Sequence, residues 1–447
     1  MAISRSGSVP VPKVRPAPAV VRVVLLLTVF LSSTLFAQNP GTPTAQDGQR
    51  VEQILVTGLN RVKEPAVLRQ MKSQVGGLYS TVNVASDYER LDRMGLFAGI
   101  DIEATPGANG VTLRVALKET APYFVYPAIS VTDEQGLTIG AGLKSTNFLG
   151  SGANVSIAAR GGGATEFEVL AASPWRPPGS WWWRGDYFLR DRFNSLDDFQ
   201  EFSNELDVQG GRQLTNRLRV GGRINYLAVK SDRAGVTLSP GNLDNIPGFG
   251  AVMEFDSRDS WTNAKRGWWN SVDVLSQHPN WDESYWTFNF DVRRYQPLHG
   301  RHSMGIFSLL TLQSGTVGTD IPIHEDFHIG GTNTLRGWDI DARRGKNQWL
   351  NTLEYRFDLL KVNDHSFKGF NYFYGVRLVA FGDAGTAWYG NDDFSRNFIG
   401  GGGVGIHIIV PYVNVIRVDF GWGQANQGMI THFGILEKAV YARRRVR

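Results

Sequence analysis

The chain carries few groups suited to covalent or metal chemistry. It has no cysteine, which removes disulfides, thiolate catalysis, cysteine-based zinc sites and lipid attachment through sulfur. Its eight histidines are read as scattered rather than as a ligand set, and no GxSxG nucleophile turn is present. No enzyme activity, metal or cofactor is therefore expected. The residue that asks for a partner is an arginine. Gly330-Gly331-Thr332-Asn333-Thr334-Leu335-Arg336-Gly337-Trp338 places Arg336 among glycines and apolar residues. It does so inside a connection of about thirty residues, and connections beyond about 12–15 are usually functional or disordered. A guanidinium offers five donors in a fixed fork that matches carboxylates. Its chemistry here is ion pairing, and it needs a hollow interior lined by acids.

The flanking segments supply both. From 122 to 436 the sequence alternates with period two, the pattern of half-buried strands. In 347–359, Trp349, Leu353, Tyr355 and Phe357 share one face, while Thr352, Glu354, Arg356 and Asp358 share the other. On the next strand Tyr374, Val376 and Leu378 alternate with Arg377, Val379, Phe381 and Asp383. Similar faces occur at 217–226, with Arg217, Arg219, Arg223 and Asn225 opposite Leu218, Val220, Ile224 and Tyr226. Strand 281–295 sets Trp286, Phe288, Phe290 and Val292 against Tyr285, Thr287, Asn289, Asp291 and Arg293. In 413–423, Ile416, Val418, Phe420 and Trp422 oppose Arg417 and Asp419.

A soluble sandwich also alternates, but it buries its apolar face in a core. Apolar-out, charged-in alternation suits a lipid-facing barrel with a wet lumen. Sixteen such runs leave about twenty residues each, enough for transmembrane strands of about 9–11 residues. Glycine (51) and aromatic content (25 Phe, 14 Tyr, 13 Trp) agree with this reading. Trp181, Trp182, Trp183, Trp268, Trp269 and Trp388 fall near inferred strand ends, where aromatic girdles sit. Parity places Glu354 and Asp383 on the lumenal face of consecutive strands. An inward-folded loop would then set Arg336 between them.

Residues 1–37 read as an export signal. Arg5, Lys13, Arg15 and Arg22 precede a short apolar run, Val23 to Leu31, too short to span a bilayer. Removing those four basic residues from 46 leaves 42, equal to the 42 acidic ones. The basic excess thus belongs to the signal, and nucleic-acid binding loses its electrostatic support. Residues 38–50 read as a polar linker, and 437–447 as a basic tail with four arginines in its last five positions.

Residues 51–120 have a different texture, with the order strand, helix, helix, strand, strand. The expected elements are a strand at 51–57, helices at 64–73 and 85–94, and strands at 97–104 and 111–117. The Gly58-Leu59-Asn60-Arg61 turn, Gly76-Gly77-Leu78-Tyr79 and Leu91-Asp92-Arg93-Met94-Gly95-Leu96-Phe97 resemble a polypeptide-transport-associated (POTRA) domain. That resemblance implies an open edge strand after the second helix, able to pair with an extended client.

Leu335-Arg336-Gly337-Trp338, then Glu354-Tyr355-Arg356, then Phe381-Gly382-Asp383-Ala384-Gly385 resemble the barrel of BamA-type outer-membrane assembly factors. Gly400–Gly403 with Gly405 and the Asp256-Ser257-Arg258-Asp259 turn match as well. Such bacterial surface antigen-like proteins carry a (V/I/L)-R-G-aromatic loop folded inward and an F-x-D-x-G motif on a neighbouring strand. The implied fold is a transmembrane antiparallel β-barrel of about 16 strands (121–436) behind one N-terminal α+β POTRA domain. The resemblance implies that Arg336 is the buried anchor, Gly337 the turn that permits it, and Glu354 and Asp383 its partners, with Phe381 and Gly385 marking the strand motif. Trp338 stands where Phe or Tyr is more usual, and one POTRA module stands where relatives usually have several.

The implied function is insertion of outer-membrane proteins, received by the periplasmic POTRA domain and passed through a lateral seam between the first (123–131) and last (429–436) strands. Implied partners are unfolded outer-membrane clients, the lipid bilayer, and periplasmic chaperones or accessory lipoproteins. Two other readings stay open: a secretion pore of the two-partner type, and a structural surface barrel without transport.

Overall fold

The computed structural model describes residues 46–92, 94–119, 122–173, 177–260, 263–367, 370–390, 393–410, 414–424 and 428–435, with the side chains of 98, 363–367, 370–373 and 414 excepted. The expected export segment, most of the linker and the basic tail lie outside these residues. No helix among the described residues is long and apolar enough to cross a membrane.

The N-terminal region forms a three-stranded sheet of β1 (Val51–Thr57), β2 (Phe97–Pro106) and β3 (Val111–Glu119), in the order β1-β3-β2. Strand β3 is central, parallel to β1 and antiparallel to β2, so among the described residues β2 keeps one edge unpaired. Val51, Val67, Met71, Leu91, Val111, Leu113 and Val115 form its core. The Gly58–Arg61 turn closes against the end of β3. Glu119 accepts backbone N–H bonds from Asn60 (2.9 Å), Arg61 (2.9 Å) and Val62 (2.8 Å).

Both helices differ from expectation for non-local reasons. Helix α1 covers only Glu64–Leu68, because the N–H groups of Lys72 and Ser73 donate to the buried Asp87 carboxylate instead of continuing the helix. Helix α2 starts earlier, at Thr81, and ends at Asp92. The Asp47 carboxylate accepts from the Thr81 N–H (2.8 Å) and hydroxyl, capping the helix from 34 positions upstream.

Sixteen strands then form one antiparallel sheet. They are β4 (Tyr123–Thr132), β5 (Gly136–Phe148), β6 (Ala153–Gly162), β7 (Ala164–Ala172), β8 (Trp181–Asn194), β9 (Phe199–Gln213), β10 (Leu218–Ser231) and β11 (Leu243–Asp256). The series continues with β12 (Gly267–Gln277), β13 (Tyr285–Pro297) and β14 (His302–Gln313). Two short strands, β15 (Phe327–Ile329) and β16 (Arg343–Gly345), pair with each other inside the following loop. The sheet resumes with β17 (Asn347–Phe367), β18 (Phe370–Trp388), β19 (Ile399–Val410), β20 (Asn414–Gly423) and β21 (Ile430–Ile435). Each strand pairs with its neighbour in sequence, β14 passing directly to β17. The sheet curls into a nearly closed barrel whose ends, β4 and β21, share no ladder among the described residues.

Burial is inverted relative to a soluble protein. Val125, Ile139, Ile224, Leu353, Val404 and Phe433 are exposed, while Glu354, Arg356, Asp383, Arg417 and Asp419 are buried. The outward stripe is apolar and the inward one charged, the arrangement a bilayer demands. Inward charges are paired: Arg223 meets Asp207 (2.6 Å) and Asp273 (2.8 Å), Arg293 meets Asp291 (2.6 Å), and Arg377 meets Asp358 (3.0 Å).

The tryptophan expectation needs correction. Trp181 and Trp183 face outward, but Trp182, Trp269 and Trp388 are buried. The Trp182 indole N–H donates to the Val220 carbonyl (3.1 Å), and the Trp269 indole N–H to Glu254 Oε1 (2.9 Å). Trp182 and Trp269 fall on the inward parity of their strands, whereas Trp388 shares the outward parity of Leu378 and is covered by the Phe394 ring, edge-on with centroids 4.9 Å apart.

Candidate functional site: the lumenal loop

Residues 314–346 link β14 to β17. The β15–β16 hairpin sends the tip, 330–342, into the barrel. Gly330 (φ +123°), Gly331 (φ +82°) and Gly337 (φ +87°) take backbone conformations that side chains disfavour. The Gly331 N–H donates to the Trp338 carbonyl (2.8 Å) and closes the tip. Leu335 is fully buried with Ile329, Leu309, Leu350, Ala387 and Ile399, a burial that contributes about 1.5–3 kcal/mol. Trp338 joins that cluster, and its indole N–H donates to the Gly400 carbonyl (2.9 Å).

Arg336 has no solvent exposure. Its Nε donates to Asp383 Oδ2 (2.8 Å) and its Nη2 to Asp383 Oδ1 (3.1 Å). Nη2 also lies 3.1 Å from Glu354 Oε1, and the Arg336 backbone N–H donates to Asp383 Oδ2 (3.0 Å). The structure thus brings Arg336 together with both carboxylates named from the sequence. The Phe381 ring lies under the guanidinium, 3.5 Å from its carbon, adding a cation–π contact. Gly385 leaves room where a Cβ would come 2.8 Å from the Trp349 carbonyl oxygen and 3.0 Å from the Leu350 side chain.

A third carboxylate escaped the sequence reading. Arg336 Nη1 donates to Asp419 Oδ2 (3.0 Å). Asp419 also accepts from Arg417 Nη1 (3.1 Å) and lies 2.9 Å from His407 Nε2. Glu354 accepts from Arg356 Nε (2.9 Å) and Nη2 (2.8 Å). Three guanidinium groups, Arg336, Arg356 and Arg417, therefore meet three carboxylates, Glu354, Asp383 and Asp419, and the buried cluster is electrically balanced. Parity had set Asp419 on the inward face of β20. What it lacked was the barrel's curvature, which brings a strand two places beyond β18 within reach of one guanidinium.

Glycines let the loop backbone lie directly on the wall. A Cβ on Gly337 would fall 2.6 Å from the Trp422 carbonyl carbon, and one on Gly421 would fall 2.6 Å from the Gly337 nitrogen. Gly423 meets the Gly337 carbonyl oxygen at 2.6 Å in the same sense. The glycines of β19 and β20 form the seat of the loop tip.

One spelling in the loop was passed over in the sequence. His324-Glu325-Asp326-Phe327-His328 reads HExxH, the pattern that places two histidines on one helical face for zinc. Here Ile323–Glu325 is a single 3-10 turn that runs straight into β15. His324 Nε2 faces Asp244 Oδ2 (3.4 Å) and His328 Nδ1 faces Asp341 Oδ1 (2.7 Å). The imidazoles go to different partners, and no group of three metal-ligating side chains exists among the described residues.

Known proteins share this architecture. An Omp85 superfamily domain is matched over residues 147–435, and a POTRA domain, described as a surface antigen variable number repeat, over 49–120. The outer membrane protein assembly factor BamA of Neisseria meningitidis serogroup B is 21% identical over 404 residues, covering 78% of this chain and 48% of that protein. The chain thus spans about half the length of that curated relative. Among solved structures, BamA from Haemophilus ducreyi lacking POTRA domains 1–3 has 15% identity and a TM-score of 0.55, over 87% of this chain and 83% of that one. CdiB from Escherichia coli has 13% identity and the same TM-score, over 87% of this chain and 75% of that one. At these identities the structural likeness speaks to the fold. The family comprises non-enzymatic transport and assembly proteins of the outer membrane, with the POTRA region in the periplasm. With its barrel matched over more than half the sequence, the chain belongs to the Omp85 superfamily.

Proposed function

We propose that this chain is an outer-membrane protein assembly factor that receives unfolded clients at its POTRA region and inserts them through the β4–β21 seam. The observation that carries the reading is that seam. Among the described residues, every neighbouring strand pair in the barrel has a ladder except β4 and β21. Unpaired backbone N–H and C=O groups cost several kcal/mol each in hydrocarbon, so an unladdered edge favours pairing with an incoming strand. Gly434 lies inside the closing strand and weakens its pairing. Strand β2 offers a second edge on the periplasmic side, suited to main-chain pairing with little sequence demand. The sequence likeness to a BamA supports the same reading. Periplasmic chaperones or accessory lipoproteins would then deliver clients to the POTRA region.

A second reading, a secretion pore of the two-partner type, draws on the equal structural likeness to CdiB. Depletion separates them. Loss of outer-membrane barrels as a class is expected for an assembly factor. An unchanged barrel profile with loss of one secreted protein would select the pore.

A further inference from the structure

We infer that the loop tip is a staple across the barrel seam, made by a hydrogen-bond relay through Asp133, Thr332 and His432. The three carboxylates around Arg336 lie on β17, β18 and β20, all on the β21 side of the seam. They fix the loop to that side alone. The outer part of the loop reaches Asp197 and Asp244 through Arg344 and His324, well round the barrel from the seam.

Thr332 is what crosses. Its hydroxyl lies 2.7 Å from Asp133 Oδ1 and its backbone N–H donates to Asp133 Oδ2 (2.6 Å). Asp133 sits in the turn joining β4 to β5, at the far end of the first barrel strand. On the other side, His432 belongs to β21. Its Nε2 accepts from the Gly337 N–H (2.9 Å), and its Nδ1 lies 3.2 Å from Thr332 Oγ1.

The donor count fixes the direction of the relay. Because Nε2 accepts, the ring proton of the neutral imidazole sits on Nδ1 and is donated to Thr332 Oγ1. The Thr332 hydroxyl proton then goes to Asp133, whose carboxylate only accepts. The chain runs Gly337 to His432 to Thr332 to Asp133, joining the last strand to the first hairpin where, among the described residues, no ladder does. Thr332 and His432 are almost fully buried, which shields the His432 bonds from water, while Asp133 meets Thr332 from an exposed turn. The Thr332 carbonyl accepts from Arg417 Nη2 (3.0 Å), which couples the relay to the charge cluster. Gly331, with φ +82°, gives Asp133 its approach, since a Cβ there would collide with the carboxylate.

The staple concerns the seam itself and needs no client, so its test leaves the insertase reading untouched. Purified full-length protein is recorded in planar bilayers, with heat-modifiable migration confirming that each variant is folded. Thr332→Val keeps the shape and removes the hydroxyl, and is expected to raise the frequency of large-conductance openings about tenfold. Thr332→Ser restores the hydroxyl and is expected to return the frequency to that of the unaltered protein. The Thr332→Val, His432→Phe double variant is expected to open no more often than either single, because both cut one relay. Asp133→Asn, in an exposed turn, gives the same readout should Thr332→Val fail to assemble.

The chain has no cysteine of its own, so one cysteine introduced in β4 and one in β21, chosen by scanning for a pair that oxidises, locks the seam. That lock is expected to suppress the extra openings. Openings at the unaltered frequency in folded Thr332→Val, or extra openings that persist with the seam locked, would overturn the staple.

Discussion

Arg336 Nη1 and Asp419 Oδ2 lie 3.0 Å apart with no solvent on either side chain, joining residues 83 positions apart. Asp419 is also held by Arg417 and His407, so this carboxylate belongs to a network rather than a pair. Removing Arg336 leaves buried acids uncompensated. Arg336→Ala is expected to cost about 3–5 kcal/mol, read as a lower urea midpoint of the folded barrel in detergent. Arg336→Lys recovers little of that loss, since one ammonium cannot span three carboxylates in a fixed plane. In a double-mutant cycle, Arg336→Ala with Asp419→Ala should be non-additive by about 1–3 kcal/mol. Additive losses would mean that the pair is not coupled.

The glycine seat makes a positional prediction. Gly337→Ala places a Cβ at φ +87° and against the β20 backbone. The conformation alone costs about 1–2 kcal/mol, and the collision adds to it. The loop tip should leave the wall, seen as faster proteolysis of 330–338 in intact outer-membrane vesicles. Gly382→Ala, in the same barrel with nothing within 4 Å of the added carbon, should behave as the unaltered protein.

Glu119 predicts an acid-sensitive POTRA region. Burial by itself would raise its carboxyl, but the N–H groups of Val62, Arg61 and Asn60 and the Arg61 charge outweigh burial and hold it below the usual 4.5. A lowered folded value means that the unfolded chain takes up the proton more readily. The contribution is therefore full above the unfolded value and lost as pH falls through the folded one. Amide exchange in 58–62 should accelerate below about pH 4.5 relative to the barrel. Glu119→Gln should accelerate it at neutral pH and flatten that dependence. Equal exchange in both proteins at pH 7 would show that the contact contributes nothing.

The HExxH spelling predicts an absence of zinc chemistry. With His324 and His328 committed to Asp244 and Asp341, added zinc should not raise the unfolding temperature, and a chelator should not lower it. A zinc-dependent upward shift that His328→Ala abolishes would show that the two imidazoles can converge.

Strand number, inward and outward faces and the pairing of Arg336 with Glu354 and Asp383 were legible because period-two alternation is local: each residue's face follows from its neighbours. The POTRA-like order was legible for the same reason, through turns such as Gly58–Arg61. Features set by distant groups were not. Helix α1 ends early because Asp87 takes its N–H groups, and α2 begins early because Asp47 caps it; neither acid is near in sequence. The HExxH run became a turn and a strand because the β15–β16 hairpin overrides its helical spelling. Asp419 joined Arg336, and Asp133 met Thr332 across 199 positions, because a sheet that curls on itself brings its two ends together. Sequence alternation specified which way each side chain faces, while barrel curvature decided which inward groups meet.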